Sequence, residues 1–155
     1  MSSFKKQIPE FKKSIDDHLK MILSESDQSS EELYQAMEYS VMNGGKRIRP
    51  VMMLASAIAI DMDTQYVIPF ATAIELLHSF SLIHDDLPCM DDDSLRRGQP
   101  TTHIKFGEAT ATLAADSLQS LAFELMAKAE FPESKSSQLE LISMIANSIG
   151  SAGMA

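Results

Sequence analysis

Five aspartates fall within nine positions, Asp85, Asp86, Asp91, Asp92 and Asp93, and the adjacent pair Arg96 and Arg97 follows at once. Carboxylates packed this closely repel one another, and a chain needing charge only for solubility would scatter them. A hard cation removes the penalty, and Mg²⁺ binds through a few carboxylates together with substrate phosphate oxygens. Arginine adds forked N–H donors that match phosphate. The stretch reads as a magnesium–diphosphate site. A solvated acidic loop is the plain alternative. A calcium loop fails, because the acids do not alternate and no glutamate closes the loop at the required distance.

The element that must position these acids is the run just before them. Residues 69–83 are almost wholly apolar, with Glu75 and His78 as exceptions, and predict a buried helix. Pro88 ends or kinks it, which puts Asp85 and Asp86 in its last turn. Carboxylates there oppose the helix dipole at about 0.3–1 kcal/mol each. A buried helix leading directly into the acidic cluster favours a site over a solvated loop.

A second group of charges lies upstream, in Gly45-Lys-Arg-Ile-Arg-Pro50. Three cations stand between a glycine pair and a proline suited to the first position of a helix. Arg49, ahead of proline, is expected to be extended. Glycine N–H groups and the following helix N-terminus can join the side chains around an anion. Taken alone, a helix end with solvated bases explains the stretch equally well; a second phosphate-type site in the same chain favours the anion reading.

The totals bound the rest. At 155 residues, with 22 acidic and 13 basic side chains and a net charge of −9, the chain has the size of one domain and the wrong sign for nucleic acid or an anionic membrane. Its single cysteine, Cys89, rules out a disulfide framework and suits a reducing cytoplasm. The N-terminus lacks the apolar core of a signal peptide. Glu75, His78 and His84 argue against a membrane span in the apolar helix. The 11 methionines are expected to be core filler.

Along the chain, Phe4, Ile8, Phe11, Ile15, Leu19 and Leu23 form the inner stripe of an amphipathic helix whose start Pro9 should delay. Residues 24–30 form a polar loop. Ser29 with Glu32 predicts the cap of a second helix, with Leu33, Met37 and Val41 inward, ended by Asn43-Gly44-Gly45. The uncharged helix over residues 51–60 should be buried. Residues 98–103 read as a loop. A long helix over 108–129 should turn Leu113, Leu118, Leu121 and Leu125 inward and bury Asp116. Ser137 with Glu140 predicts the cap of a last helix over 139–149. No strand alternation is visible, so the expected class is all-α.

With these residues placed, the sequence resembles the trans-polyprenyl diphosphate synthases, most closely the bacterial farnesyl type. The resemblance covers residues 34–154 and rests on three blocks: Gly44-Gly-Lys-Arg-Ile-Arg-Pro50, Glu75-Leu-Leu-His-Ser-Phe-Ser-Leu-Ile-His-Asp-Asp-Leu-Pro-Cys-Met-Asp91, and Asp93-Ser-Leu-Arg-Arg-Gly-Gln-Pro-Thr101. It implies the isoprenoid-synthase helical bundle and a Mg²⁺-dependent head-to-tail condensation of isopentenyl diphosphate with dimethylallyl or geranyl diphosphate. By position, Asp85, Asp86 and Asp91 resemble the family's metal-binding acids, with Asp85, Asp91 and Arg96 catalytic and Arg96 touching the allylic diphosphate. Lys46, Arg49, His78 and Arg97 resemble the isopentenyl diphosphate set. Phe80, with Ser81 beside it, matches the position that sets product length, and an aromatic there goes with a fifteen-carbon product. A homodimer and a cytoplasmic location are implied for the full-length family.

Two departures stand out. Ala115 replaces the family's usual glycine before the aspartate matched by Asp116. Family members are also about twice as long, so residues 1–155 look like the N-terminal part of one synthase domain, with the second aspartate-rich motif and its lysines absent. A terpene cyclase also ionises diphosphates at an aspartate-rich helix end, but it has no need of the Lys46, Arg49 and Arg97 set. A noncatalytic chain that binds diphosphate or pairs with another subunit is the other alternative.

Overall fold

The structure is a computed structural model describing residues 2–25, 30–132 and 134–154, with side chains from residue 6 onward. Its helices are α1 (Ser2–Glu25), α2 (Glu31–Met42), α3 (Ile48–Ala59), α4 (Ile68–Asp85), α5 (Thr102–Phe106), α6 (Glu108–Lys128) and α7 (Lys135–Ile149). A 3-10 turn at Thr64–Tyr66 precedes α4, and a short ribbon of β1 (Leu95–Arg96) and β2 (Gln99–Pro100) follows it. The chain is all-α apart from that ribbon.

Helix α4 is the axis of the packing. It lies against α6 along most of its length and is flanked by α1, α2 and α3. Phe70, Leu76, Leu77 and Ile83 of α4 are buried, and α6 meets them with Ala111, Ala114, Ala115, Leu118 and Ala122. Alanines at this seam let the two helices approach closely, and Ala115 is accommodated without exposure. Ile15, Leu19 and Leu23 of α1, Met37 and Val41 of α2 and Leu54 of α3 complete the core. Fully burying a side chain of this size contributes about 1.5–3 kcal/mol. The stretch Thr64–Asp85 is long and apolar enough to cross a membrane by length and composition; packing against four helices accounts for that apolarity.

Several expectations need correction. Helix α1 runs through Pro9: one lost ladder bond near a helix end is outweighed by the buried stripe beyond it. The Phe4 side chain and Ser29 lie outside the described residues; Ser30 caps α2, its hydroxyl accepting from Leu33 N. Arg49 is helical, and Pro50 is the third residue of α3, where its missing N–H still costs nothing. Helix α3 is buried on one face only, with Met52 63% and, at its C-cap, Ile60 69% exposed. Leu113 and Asp116 are exposed on α6, whereas Leu118 is buried and Leu121 and Leu125 pack half-buried against the core, beside the alanine stripe that faces α4. Ser134, not Ser137, caps α7, accepting from Ser137 N. The methionines divide: Met37 and Met126 are core, whereas Met52, Met90, Met144 and Met154 are exposed.

Candidate functional site

The ribbon after α4 explains how the arginine pair is presented. Leu95 pairs with Pro100 and Arg96 with Gln99, leaving Arg97-Gly98 as a two-residue turn. Both turn residues have positive φ, 54° and 79°, the pattern of the hairpin turn that matches strand twist. An arginine in this conformation is strained by about 1–2 kcal/mol. The turn sends Arg96 and Arg97 to two different places.

Arg96 goes back to the end of α4. Its Nε donates to both carboxylate oxygens of Asp86, at 2.8 and 2.9 Å, and its Nη2 also donates to Asp86. Asp93 lies 3.5 Å from the same guanidinium. Hydrogen bonding to Asp86 holds the Arg96 pKa above its ordinary value. Asp86 is buried by this pairing. Asp85, the last residue of α4, and Asp91 are left without a side-chain partner among the described residues. The Asp91 N–H donates to the Asp85 carbonyl at 2.8 Å, folding the loop back so that both acids share one turn. No group of three or more acids, histidines or cysteines able to hold a metal occurs among the described residues.

Arg97 turns instead toward a neighbouring cavity of about 540 Å³ lined by Lys46, Arg49, His78 and Arg97 together with Arg47 and Glu75. Its Nη1 donates to the Gly44 carbonyl and, at 3.5 Å, to that of Asn43. Gly45 has a φ of +130°, which favours glycine, and a Cβ there would stand 2.9 Å from Arg97 Nη1, so the end of that side chain would have to move. Burial pushes the His78 pKa down, and Arg49 adds to the effect. Arg97 is lowered by burial and then by the charge of Arg47. Ser81 turns inward along its own helix, donating to the His78 carbonyl at 2.9 Å. Phe80 is half-buried against the core and meets the His84 ring edge-on at 4.8 Å. His84 Nε2 in turn lies 3.7 Å from Asp116.

The structure therefore brings Lys46, Arg49, His78 and Arg97 around one cavity and gathers Asp85, Asp86, Asp91 and Arg96 at the end of α4, with the ribbon joining the two groups. Sequence reasoning missed Arg47, which is buried in the left-handed conformation at φ 51°. Glu75, an acid alone in an apolar helix, was the signal that pointed to it.

A helical layer carrying a cation-lined cavity beside an acidic helix end describes a class of α-helical proteins suited to polyanionic ligands. Comparison with known proteins gives the family. The chain belongs to the polyprenyl synthetase family, whose pattern it matches over residues 30–153. It is 48% identical to the farnesyl diphosphate synthase of Escherichia coli over 121 residues, 77% of this chain and 40% of that protein. It is 43% identical to the Bacillus subtilis farnesyl diphosphate synthase over 144 residues, 92% of this chain and 48% of that protein. Among solved structures it resembles a geranyltransferase from Legionella pneumophila, with a TM-score of 0.94 at 36% identity, covering 99% of this chain and 54% of that one. The chain thus spans about half the length of the relatives it matches.

Proposed function

We propose that the chain supplies the diphosphate-binding wall of a prenyltransferase that joins isopentenyl diphosphate to dimethylallyl or geranyl diphosphate, giving farnesyl diphosphate. The observation that carries this reading is the cavity in which Lys46, Arg49, His78 and Arg97 converge from three separate segments. Lys46, Arg49 and Arg97 hold the isopentenyl diphosphate, and the neutral His78 ring adds a hydrogen bond. Arg96 serves the allylic diphosphate from its place beside Asp86. In the reaction the allylic C–O bond breaks and diphosphate leaves with the electron pair. The isopentenyl double bond attacks the resulting cation, and a proton is then lost. The barrier lies in charge developing on the leaving group, so fixed cations facing it are the main lever.

Mg²⁺ fits the acids at the helix end. Asp85 and Asp91 have free carboxylates in one turn, and Mg²⁺ needs only one or two carboxylates when phosphate oxygens complete its shell. When bound, it would neutralise charge on the departing diphosphate. We assign Asp85 and Asp91 to it and Asp86 to holding Arg96. Phe80, one turn deeper on α4, is read as the floor that limits product length, with Ser81 leaving room beside it. A soluble enzyme of the reducing cytoplasm, homodimeric when whole, suits the exposed free thiol of Cys89.

A second reading is favoured by the open apolar face of α3: a chain that binds diphosphate but needs another polypeptide to complete the site. The test is Mg²⁺-dependent incorporation of labelled isopentenyl diphosphate into geranyl diphosphate, alongside calorimetry with inorganic diphosphate. Binding without turnover is expected for residues 1–155, since one wall of a cage leaves the leaving group open to water. Turnover comparable to that of the relatives would show that this chain completes the site itself. Absence of diphosphate binding would sink the whole reading.

A further inference from the structure

Arg47 stands in the wall of the cavity, almost completely buried, and is held by three helices. Its Nε donates to Asp16 of α1, its Nη1 to Glu75 of α4 and its Nη2 to the Val41 carbonyl of α2, each at 2.8 Å. Both Arg47 and Glu75 are almost completely buried. The residue also starts α3 in the left-handed conformation, which ordinary side chains avoid unless their surroundings impose it. Exposed Lys46 and Arg49 flank it on either side. A further tether, Lys12 Nζ donating to the Gly45 carbonyl at 2.9 Å, fixes the same loop from α1.

Resting on the function proposed above, we propose that Arg47 is a positioning residue that touches no substrate and sets the register of Lys46 and Arg49 against α4. Glu75 is the point of attachment. It precedes His78 by three residues, so the two lie on one face of the helix, and the same helix ends in Asp85. Through one fork the loop that carries two cavity cations is indexed to the helix that carries the histidine and the acid. The planar guanidinium does this because it spends its donors in three fixed directions, which an ammonium cannot reproduce.

Glu75 makes the proposal testable by sign, since it lines the cavity itself. If only net charge mattered, Glu75→Gln would tighten inorganic diphosphate binding by removing an anion, and Arg47→Lys would leave it unchanged. A positioning role requires the reverse. Arg47→Lys should weaken inorganic diphosphate binding about tenfold and Glu75→Gln about threefold, the smaller loss reflecting an amide oxygen that still accepts from Arg47. Calorimetry on the whole chain reads both, with circular dichroism confirming the fold. Gln138→Ala, which removes buried bonds to the Met126 and Ala129 carbonyls on elements that do not line the cavity, controls for stability loss and should leave affinity unchanged. If Arg47→Lys fails to fold, the sign for Glu75→Gln decides. Tighter binding by Glu75→Gln, or unchanged binding by folded Arg47→Lys, overturns the proposal while leaving the cavity assignment intact. Failure of the unmutated chain to bind diphosphate overturns both.

Discussion

His78 faces the cavity as a neutral imidazole, its pKa lowered by burial and by Arg49. The sign of the pH effect follows. The unfolded chain takes up this proton near the ordinary 6.5 while the folded chain resists, so the stability tied to His78 is complete above that value and is lost as pH falls through the folded value. His18, lowered by burial beside Thr72, acts in the same direction. Bound diphosphate reverses the bias on His78, because an anion near the ring favours its charged form. Binding should therefore be coupled to proton uptake at His78, read by calorimetry as a difference between the pH profiles of the unmutated chain and His78→Gln, since inorganic diphosphate itself loses charge as pH falls. Identical profiles would remove His78 from that linkage. At Gly45 the constraint is steric. Gly45→Ala should displace Arg97 and force an unfavourable backbone conformation, destabilising by about 1–3 kcal/mol and weakening diphosphate binding. Unchanged melting and affinity would show that Arg97 has another place to go. Such details were only partly legible. The grouping of Lys46, Arg49, His78 and Arg97 comes from the family resemblance, because residue type and spacing leave solvated bases and a core histidine equally open, whereas the left-handed backbone of Arg47 is imposed by partners up to 31 residues distant in sequence.

Helix α4 and the ribbon behind it form a unit in which Asp86 grips Arg96. If Asp86 serves that grip, Asp86→Asn should cost about 1–3 kcal/mol of stability in thermal melts without added metal, as expected for a lost charged hydrogen bond. A variant of normal stability that instead loses its Mg²⁺ dependence would make Asp86 a metal ligand. Phe80 belongs to the same helix, about one turn before Asp85. Phe80→Ala, assayed in a chimera completed by the C-terminal half of the Bacillus subtilis relative, should give products longer than fifteen carbons. An active chimera with unchanged products would remove Phe80 from that role. Sequence periodicity foretold α4 well, since an apolar run closed by proline has few other outcomes. The ribbon escaped it because Arg-Gly is a poor turn signal and strands of two residues cannot show alternation. Helix α6 misled at Leu113 and Asp116, which are exposed; Leu118 turns inward as its spacing predicts, and the rest of the seam is largely alanine, which a close helix crossing selects.

At the scale of the whole molecule, the core is closed around α4 and open beyond α3. A groove of about 590 Å³ runs along Met52, Met53, Ile60, Met62, Val67 and Ile74. Absence of charge in residues 51–60 foretold burial, and the sequence pattern could not reveal that only one face would find a partner. Apolar surface of this kind favours contact with a second copy. Light scattering should detect concentration-dependent association of the chain, reduced by the double substitution Met52→Ser and Ile60→Ser; a monomer at all concentrations would count against it.

Three thioethers line that groove, and Met52 stands largely open to water. A buried methionine is sheltered from peroxide, whereas an exposed one is readily converted to its sulfoxide, a polar and chiral group. The face open to contact is thus also open to oxidants. Oxidation there would turn an apolar surface into a hydrated one while leaving the cation-lined cavity, which has no sulfur in its lining, chemically intact.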